Sequence, residues 1–155
     1  MKPRPYSSTL LALCGLILIG VGLYFVFLRP PLLPKDARYI GTEISEVRAA
    51  VPGLLNWLEK VFWALGEYML GVGLLTLYVA LTSFRTRARD VSGAVALTGL
   101  SSIGWMAAVN FVINSDYKWL LLAFAVLWAV ALTLFWLEDP NGDPDRKATW
   151  ESTDV

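Results

Sequence analysis

The residue in this chain most able to do chemistry is Glu67, which sits inside the apolar part of an unbroken helical stretch, 51–84. An ionisable side chain in hydrocarbon is costly unless it faces other helices, is paired or is protonated, so it is the first candidate for a functional site. Counting inward from one membrane interface at about 1.5 Å per residue puts Tyr24 roughly 6 Å deep, Glu67 roughly 9 Å and Asn110 roughly 5 Å, all in one leaflet. A phenol and a carboxamide can each donate a hydrogen bond to a carboxylate. With Trp63 and Tyr68 nearby, the expectation is a ligand or proton site made by Glu67, Asn110, Tyr24 and Trp63. The competing reading is that Glu67 bonds across helices as structural glue, or reaches back to the interface.

Other chemistry is removed by composition. The chain has no histidine and one cysteine, Cys14, which excludes imidazole acid–base catalysis, His-ligated metal or haem, and a disulfide or CxxC pair within the chain. Thirteen basic and thirteen acidic residues cancel, so no overall field points to nucleic acid. Asp139, Asn141 and Asp143 loosely suggest a calcium loop, but their order does not fit an EF-hand and Pro144 interrupts it. No cofactor and no metal are expected. A carboxylate pair of Glu67 with Glu59, two turns away, is the one arrangement suited to acid–base work; without a nucleophile and base at useful spacing, the protein is read as not an enzyme.

What must position these residues is a membrane bundle. A 155-residue chain that is 56% apolar is too hydrophobic for an ordinary soluble domain. The expected fold is an all-α integral membrane protein, a four-transmembrane-helix bundle with spans at about 9–28, 61–84, 91–113 and 119–137. A short extracytoplasmic amphipathic helix is expected between spans 1 and 2. The first run is long enough to span, and Arg29, Pro30 and Pro31 follow it in place of a cleavage site. Arg29 to Lys35, with three prolines, reads as extended. Ile40, Ile44, Val47 and Val51 then make one apolar stripe, with Thr42 as the expected cap. Pro52 is expected to open the long helix, which at more than thirty residues must project from the bilayer.

Glycines stand seven apart at Gly15 and Gly22, and again at Gly66 and Gly73, a spacing that lets neighbouring helices approach closely. In the third span Ser101, Gly104 and Ala108 share a face, and Asp90 can cap its start. The turn 114–118 is so short that the third and fourth helices must be antiparallel neighbours. The fourth span, with few small or polar residues, is expected to be the most lipid-exposed.

Arg85, Arg87 and Arg89 mark the cytoplasmic side by the positive-inside rule, which puts both termini in the cytoplasm. Residues 1–8 are then a cytoplasmic N-terminus, 29–60 an external loop and helix extension, and 138–155 a disordered acidic cytoplasmic tail. The last residues, Thr153, Asp154 and Val155, loosely match a ligand of PDZ-type domains. In outline the four spans resemble DoxX-like proteins and the small multidrug transporters. In the latter family, however, the single membrane glutamate lies on the first span of a shorter chain, and no diagnostic motif of either family is present. The expected function is helix–helix association as an accessory or assembly subunit or a homo-oligomer, in the plasma membrane, with a bacterial inner membrane suggested by the compact loops. Its partners would be the lipid bilayer and other membrane proteins or further copies. The alternative is a proton-linked small-molecule or lipid transporter or binder using Glu67.

Overall fold

Four helices long and apolar enough to cross a membrane dominate the computed structural model, which describes residues 6–88 and 90–138. In chain order the helices are α1, Tyr6–Phe27; α2, Pro34–Ile40; α3, Ile44–Ala50; α4, Leu54–Phe84; α5, Val91–Val112; and α6, Lys118–Leu137. Among the described residues there is no strand. α4 has 31 residues, about 46 Å at the helical rise, and so exceeds the ~30 Å of a hydrocarbon core.

Glycine spacing sets the tightest contact in the molecule. α1 and α4 run antiparallel, and Gly15 meets Gly73 while Gly22 meets Gly66. A Cβ on Gly22 would lie 2.8 Å from the Gly66 carbonyl oxygen, and one on Gly73 would lie 2.8 Å from the Ile19 nitrogen. Only glycine lets the two backbones come this close, where dispersion and weak Cα–H···O contacts replace the side-chain packing.

α1 is flanked by α4 and by α6, and α5 packs against α6 and meets α4 at the last turn of that helix, Ala80–Phe84. The shared core is weighted to the end where the chain begins, with Leu11, Cys14 and Leu18 of α1 against Ala80, Phe84, Val95, Trp128 and Phe135. Cys14 is one of these packing residues. Phe84 and Phe135 stack with ring centroids 4.3 Å apart. The Trp128 indole, 3% exposed, donates to the Val95 carbonyl at 3.1 Å and fills the space a side chain on Gly99 would need.

Two of the long helices widen into π turns, Ala80–Phe84 in α4 and Leu100–Gly104 in α5. At the first, the buried Ser8 hydroxyl donates to the Ala80 carbonyl at 2.5 Å and so ties α1 to α4. At the second, Ser101 and Ser102 both donate to the Thr98 carbonyl, at 3.3 and 2.5 Å. A π turn holds more residues than an α turn and rotates whatever follows it. In α5 the buried positions step by four, through Val91, Val95 and Gly99 in regular α-helix and on across the π turn to Ile103 and Ala107. Ser101 and Ala108, expected on a small-residue packing face, are exposed for that reason.

Local expectations fail where proline and capping compete. Pro34 starts α2 instead of extending the chain, because proline is pre-shaped for the first helical turn and the Asp36 carboxylate takes the Leu33 N–H at 3.0 Å. α3 is capped at Glu43, not Thr42. The Thr42 hydroxyl bonds Glu46 instead, and this bond, with the Glu43 N–H, holds the Glu46 carboxyl below the usual range. Pro52 lies in a turn ahead of α4, whose first residue is Leu54. Asp90 adopts a left-handed conformation, φ +63°, and its side chain makes no cap bond. α6 buries the same share of its apolar window as α4 and α5, 22%, because Phe124, Trp128, Ala131 and Phe135 all turn inward.

Candidate functional site

α4 has two unlike faces. Gly66, Gly73, Thr76, Ala80 and Phe84 are buried. On the opposite side Ala64, Glu67, Tyr68, Gly71, Leu75 and Tyr78 form an exposed stripe about 100° wide at 3.6 residues per turn. Glu67 is on one edge of the stripe and makes no hydrogen bond, ion pair or ring contact with any described residue. Around it the surface is small and aromatic by turns: Ala64 and Gly71 stand three and four residues away, space is open beside Gly71, and Tyr68 is 76% exposed.

The expected companions of Glu67 lie elsewhere. Tyr24 stands edge-on to Phe25 at 5.9 Å. Trp63, one turn from Glu67, is covered by the Lys60 ammonium, 3.4 Å from its ring centroid. The Asn110 amide donates to its own helix, to the Met106 carbonyl at 2.9 Å. No hydrogen bond or ring contact joins any two of Glu67, Asn110, Tyr24 and Trp63. Shared depth brought them to one level, but the helix that carries Glu67 packs chiefly on α1 and the helix that carries Asn110 chiefly on α6, and the two meet at Ala80–Phe84, away from both residues. Glu59, the other carboxylate considered, pairs with Lys60 at 3.9 Å.

No family model, curated protein or solved structure matches the chain. Its chemistry has to be read from its own side chains. Among the described residues no three His, Cys, Asp or Glu side chains gather to hold a metal ion.

Two polar clusters, one at each end of the bundle, escaped the sequence reading. At the end where the chain begins, Glu138 receives the Ser7 N–H at 3.3 Å and the Ser7 hydroxyl at 2.6 Å, and the Arg87 guanidinium approaches it at 3.5 Å. Arg87 also donates to the Phe135 carbonyl at 2.7 Å. One carboxylate thus caps the N-terminus of α1, where the helix dipole favours an anion, and joins α1, α6 and the loop after α4. Glu138 was expected to open the disordered tail and Arg87 to act only through topology. Arg89 and the tail 139–155, with its calcium-like and PDZ-like motifs, lie outside the described residues. Glu138→Ala should lower stability by about 1–3 kcal/mol, because it strands several donors at once. The check is a double-mutant cycle with Arg87→Ala in a reversible unfolding assay, where the coupling should be about 1 kcal/mol.

At the other end α2 bridges the two helical hairpins. Arg29 lies between Phe25 and Phe62, with its guanidinium 3.3 Å from the Phe62 centroid and 3.3 Å from the Asp36 carboxylate. Burial holds it below the ordinary arginine value, against the pull of Asp36. Lys35 donates to the Ser115 hydroxyl at 3.2 Å and sits 3.8 Å above the Tyr117 ring. It too is held low, chiefly by burial, with Asp36 and Asp116 pulling the other way. Beside this bridge is a cavity of about 230 Å³, walled by α2 and the 113–116 turn. Of its charged groups, Arg38 has no partner among the described residues, and Asp116 makes no hydrogen bond or ion pair there, only its longer-range attraction for Lys35. The signal for this site was faint: Asp36 seven residues after Arg29, and charged residues in two loops that lie at the same end of the bundle.

Proposed function

We propose that this is a non-enzymatic, multi-pass membrane protein that works by helix–helix association, as an accessory or assembly subunit of a larger membrane complex. The observation that carries the proposal is the unpartnered Glu67 on the exposed face of α4. A carboxyl group left against lipid is costly, whereas a partner helix offering a hydrogen-bond donor or a cation at the same depth removes the cost. Ala64 and Gly71 let such a helix approach the backbone. In a twofold pair of copies that met on this face, Glu67 would meet a second acid, which is the weaker match. This favours a different membrane protein as the occupant.

The proposed placement is a plasma membrane, in a bacterium the inner membrane, with both termini cytoplasmic. Arg85 and Arg87 then lie at the cytoplasmic side, as the positive-inside rule requires. The proton-linked transporter reading remains the alternative, and it needs a second chain to enclose Glu67.

Native mass spectrometry of the tagged chain in lipid nanodiscs tests the proposal. Wild type is expected to arrive with another membrane protein, Glu67→Leu to lose it by about tenfold or more, and Glu67→Gln to keep part of it, since a carboxamide still bonds across helices. A complex indifferent to Glu67→Leu would sink the proposal. A dimer carrying a small ligand that Glu67→Gln loses would select the transporter.

A further inference from the structure

The cavity beside α2 is built from opposed charges. Lys35 and Arg38 contribute cations from the helix, and Asp116 contributes an anion from the α5–α6 turn. Asp36, the remaining acid of the lining, is already engaged by Arg29 and by the Leu33 N–H. Lys35 is anchored from below, through the Ser115 hydroxyl and the Tyr117 ring, and Ser115 is itself 3% exposed and takes the Tyr117 N–H. The lysine is therefore held in place with donors to spare, while the side chains of Arg38 and Asp116 have their hydrogen-bonding capacity free, Asp116 being attracted to Lys35 without bonding it. A simple anion would satisfy the two cations but be repelled by Asp116. A simple cation would meet the reverse problem. The ligand that satisfies both walls carries a negative and a positive group a few bonds apart.

Position narrows the choice. The cavity opens just past the ends of α1 and α5, between the two loops on that side of the bundle, and the last turn of α5 below it carries the exposed apolar Val112. That is the level of phospholipid headgroups when the four helices span a bilayer. We infer that this cavity binds a phosphoethanolamine group, with its phosphate on Lys35 and Arg38 and its ammonium on Asp116. An ammonium bearing N–H groups can donate to the Asp116 carboxylate, which a choline cannot do, and a glycerol headgroup has no cation to offer. Lipid phosphatidylethanolamine and free glycerophosphoethanolamine both present this chemistry. The inference rests on the membrane placement proposed above and not on the role of Glu67.

The test uses the full chain in nanodiscs made from equal parts of phosphatidylethanolamine, phosphatidylcholine and phosphatidylglycerol, followed by release into the gas phase and identification of retained lipid. Wild type is expected to retain phosphatidylethanolamine about tenfold over either competitor, the scale of one charge-assisted hydrogen bond. Asp116→Asn should erase the preference over phosphatidylglycerol while leaving some lipid bound. Arg38→Gln should lose bound phospholipid of every class, and Arg48→Gln, on the neighbouring exposed helix, should behave as wild type. Both cavity variants change groups that make no hydrogen bond or ion pair among the described residues, so unchanged melting temperatures separate loss of binding from loss of structure. Titration of lipid-stripped protein with glycerophosphoethanolamine identifies the source: saturation by the free compound, absent in Arg38→Gln, supports the headgroup site and assigns it to a solute. Equal retention of all three lipids by wild type, or a preference that both variants keep, overturns the inference.

Discussion

Gly66→Leu is expected to separate α1 from α4 and leave a chain that inserts but does not complete its fold. A Cβ at this position lies 2.8 Å from the Gly22 carbonyl oxygen and 2.8 Å from a methyl carbon of Val26. The first of these is backbone and cannot swing aside, so the helices themselves must part. Overpacking in a closed site costs about 3 kcal/mol or more. The loss is then compounded, because the same seam holds Gly15, Gly22 and Gly73 in register and α1 is the helix on which both α4 and α6 rest. Gly20→Leu, on the same helix pair but with nothing within 4 Å of its would-be side chain, should leave stability within about 0.5 kcal/mol of wild type. Unfolding in mixed micelles, followed by Trp fluorescence, reads the difference. If the two variants unfold alike, the glycine seam does not hold the helices together.

Gly71→Leu should do the opposite, sparing the folded chain and abolishing association. Nothing lies within 4 Å of a side chain built at this position, because Gly71 is on the exposed stripe of α4 one turn from Glu67. In an isolated chain leucine there meets only lipid or detergent, and it is a better helix former than glycine by nearly 1 kcal/mol. A partner helix packed against Ala64, Glu67 and Gly71 would instead be pushed away from the carboxylate it has to satisfy. The expected readout is an unchanged or slightly raised melting temperature with a loss of co-purified partner of about tenfold or more. Set beside Glu67→Leu, the variant separates two causes. A stripe that matters only as a surface fails with Gly71→Leu alone, whereas a carboxylate that bonds across helices fails with both. If Gly71→Leu keeps the partner, this face is not the docking surface.

The sequence by itself determined the helices. Four apolar runs separated by charged or proline-rich segments can satisfy their backbone groups in hydrocarbon only by coiling, and the loop of about five residues before α6 forces it to lie antiparallel beside α5. Heptad-spaced glycines likewise told which sides of α1 and α4 pack closely on a neighbour, because a small residue at nearly the same angular position twice running has a direction as well as a size; that the two seams meet each other came from the tertiary structure. Tertiary structure decided which side chains share a place. Depth along a helix is readable at a fixed rise per residue, but the azimuth of one helix against another depends on packing, and here the Glu67 helix packs chiefly on α1 while the Asn110 helix packs chiefly on α6. The π turns in α4 and α5 shifted that azimuth again, with no proline to announce them. The charged clusters were hidden for a related reason. Ser7 and Glu138 are 131 residues apart, and Lys35 and Ser115 are 80 apart; no local pattern links them, and only closure of the bundle brings opposite ends of the chain within hydrogen-bonding distance.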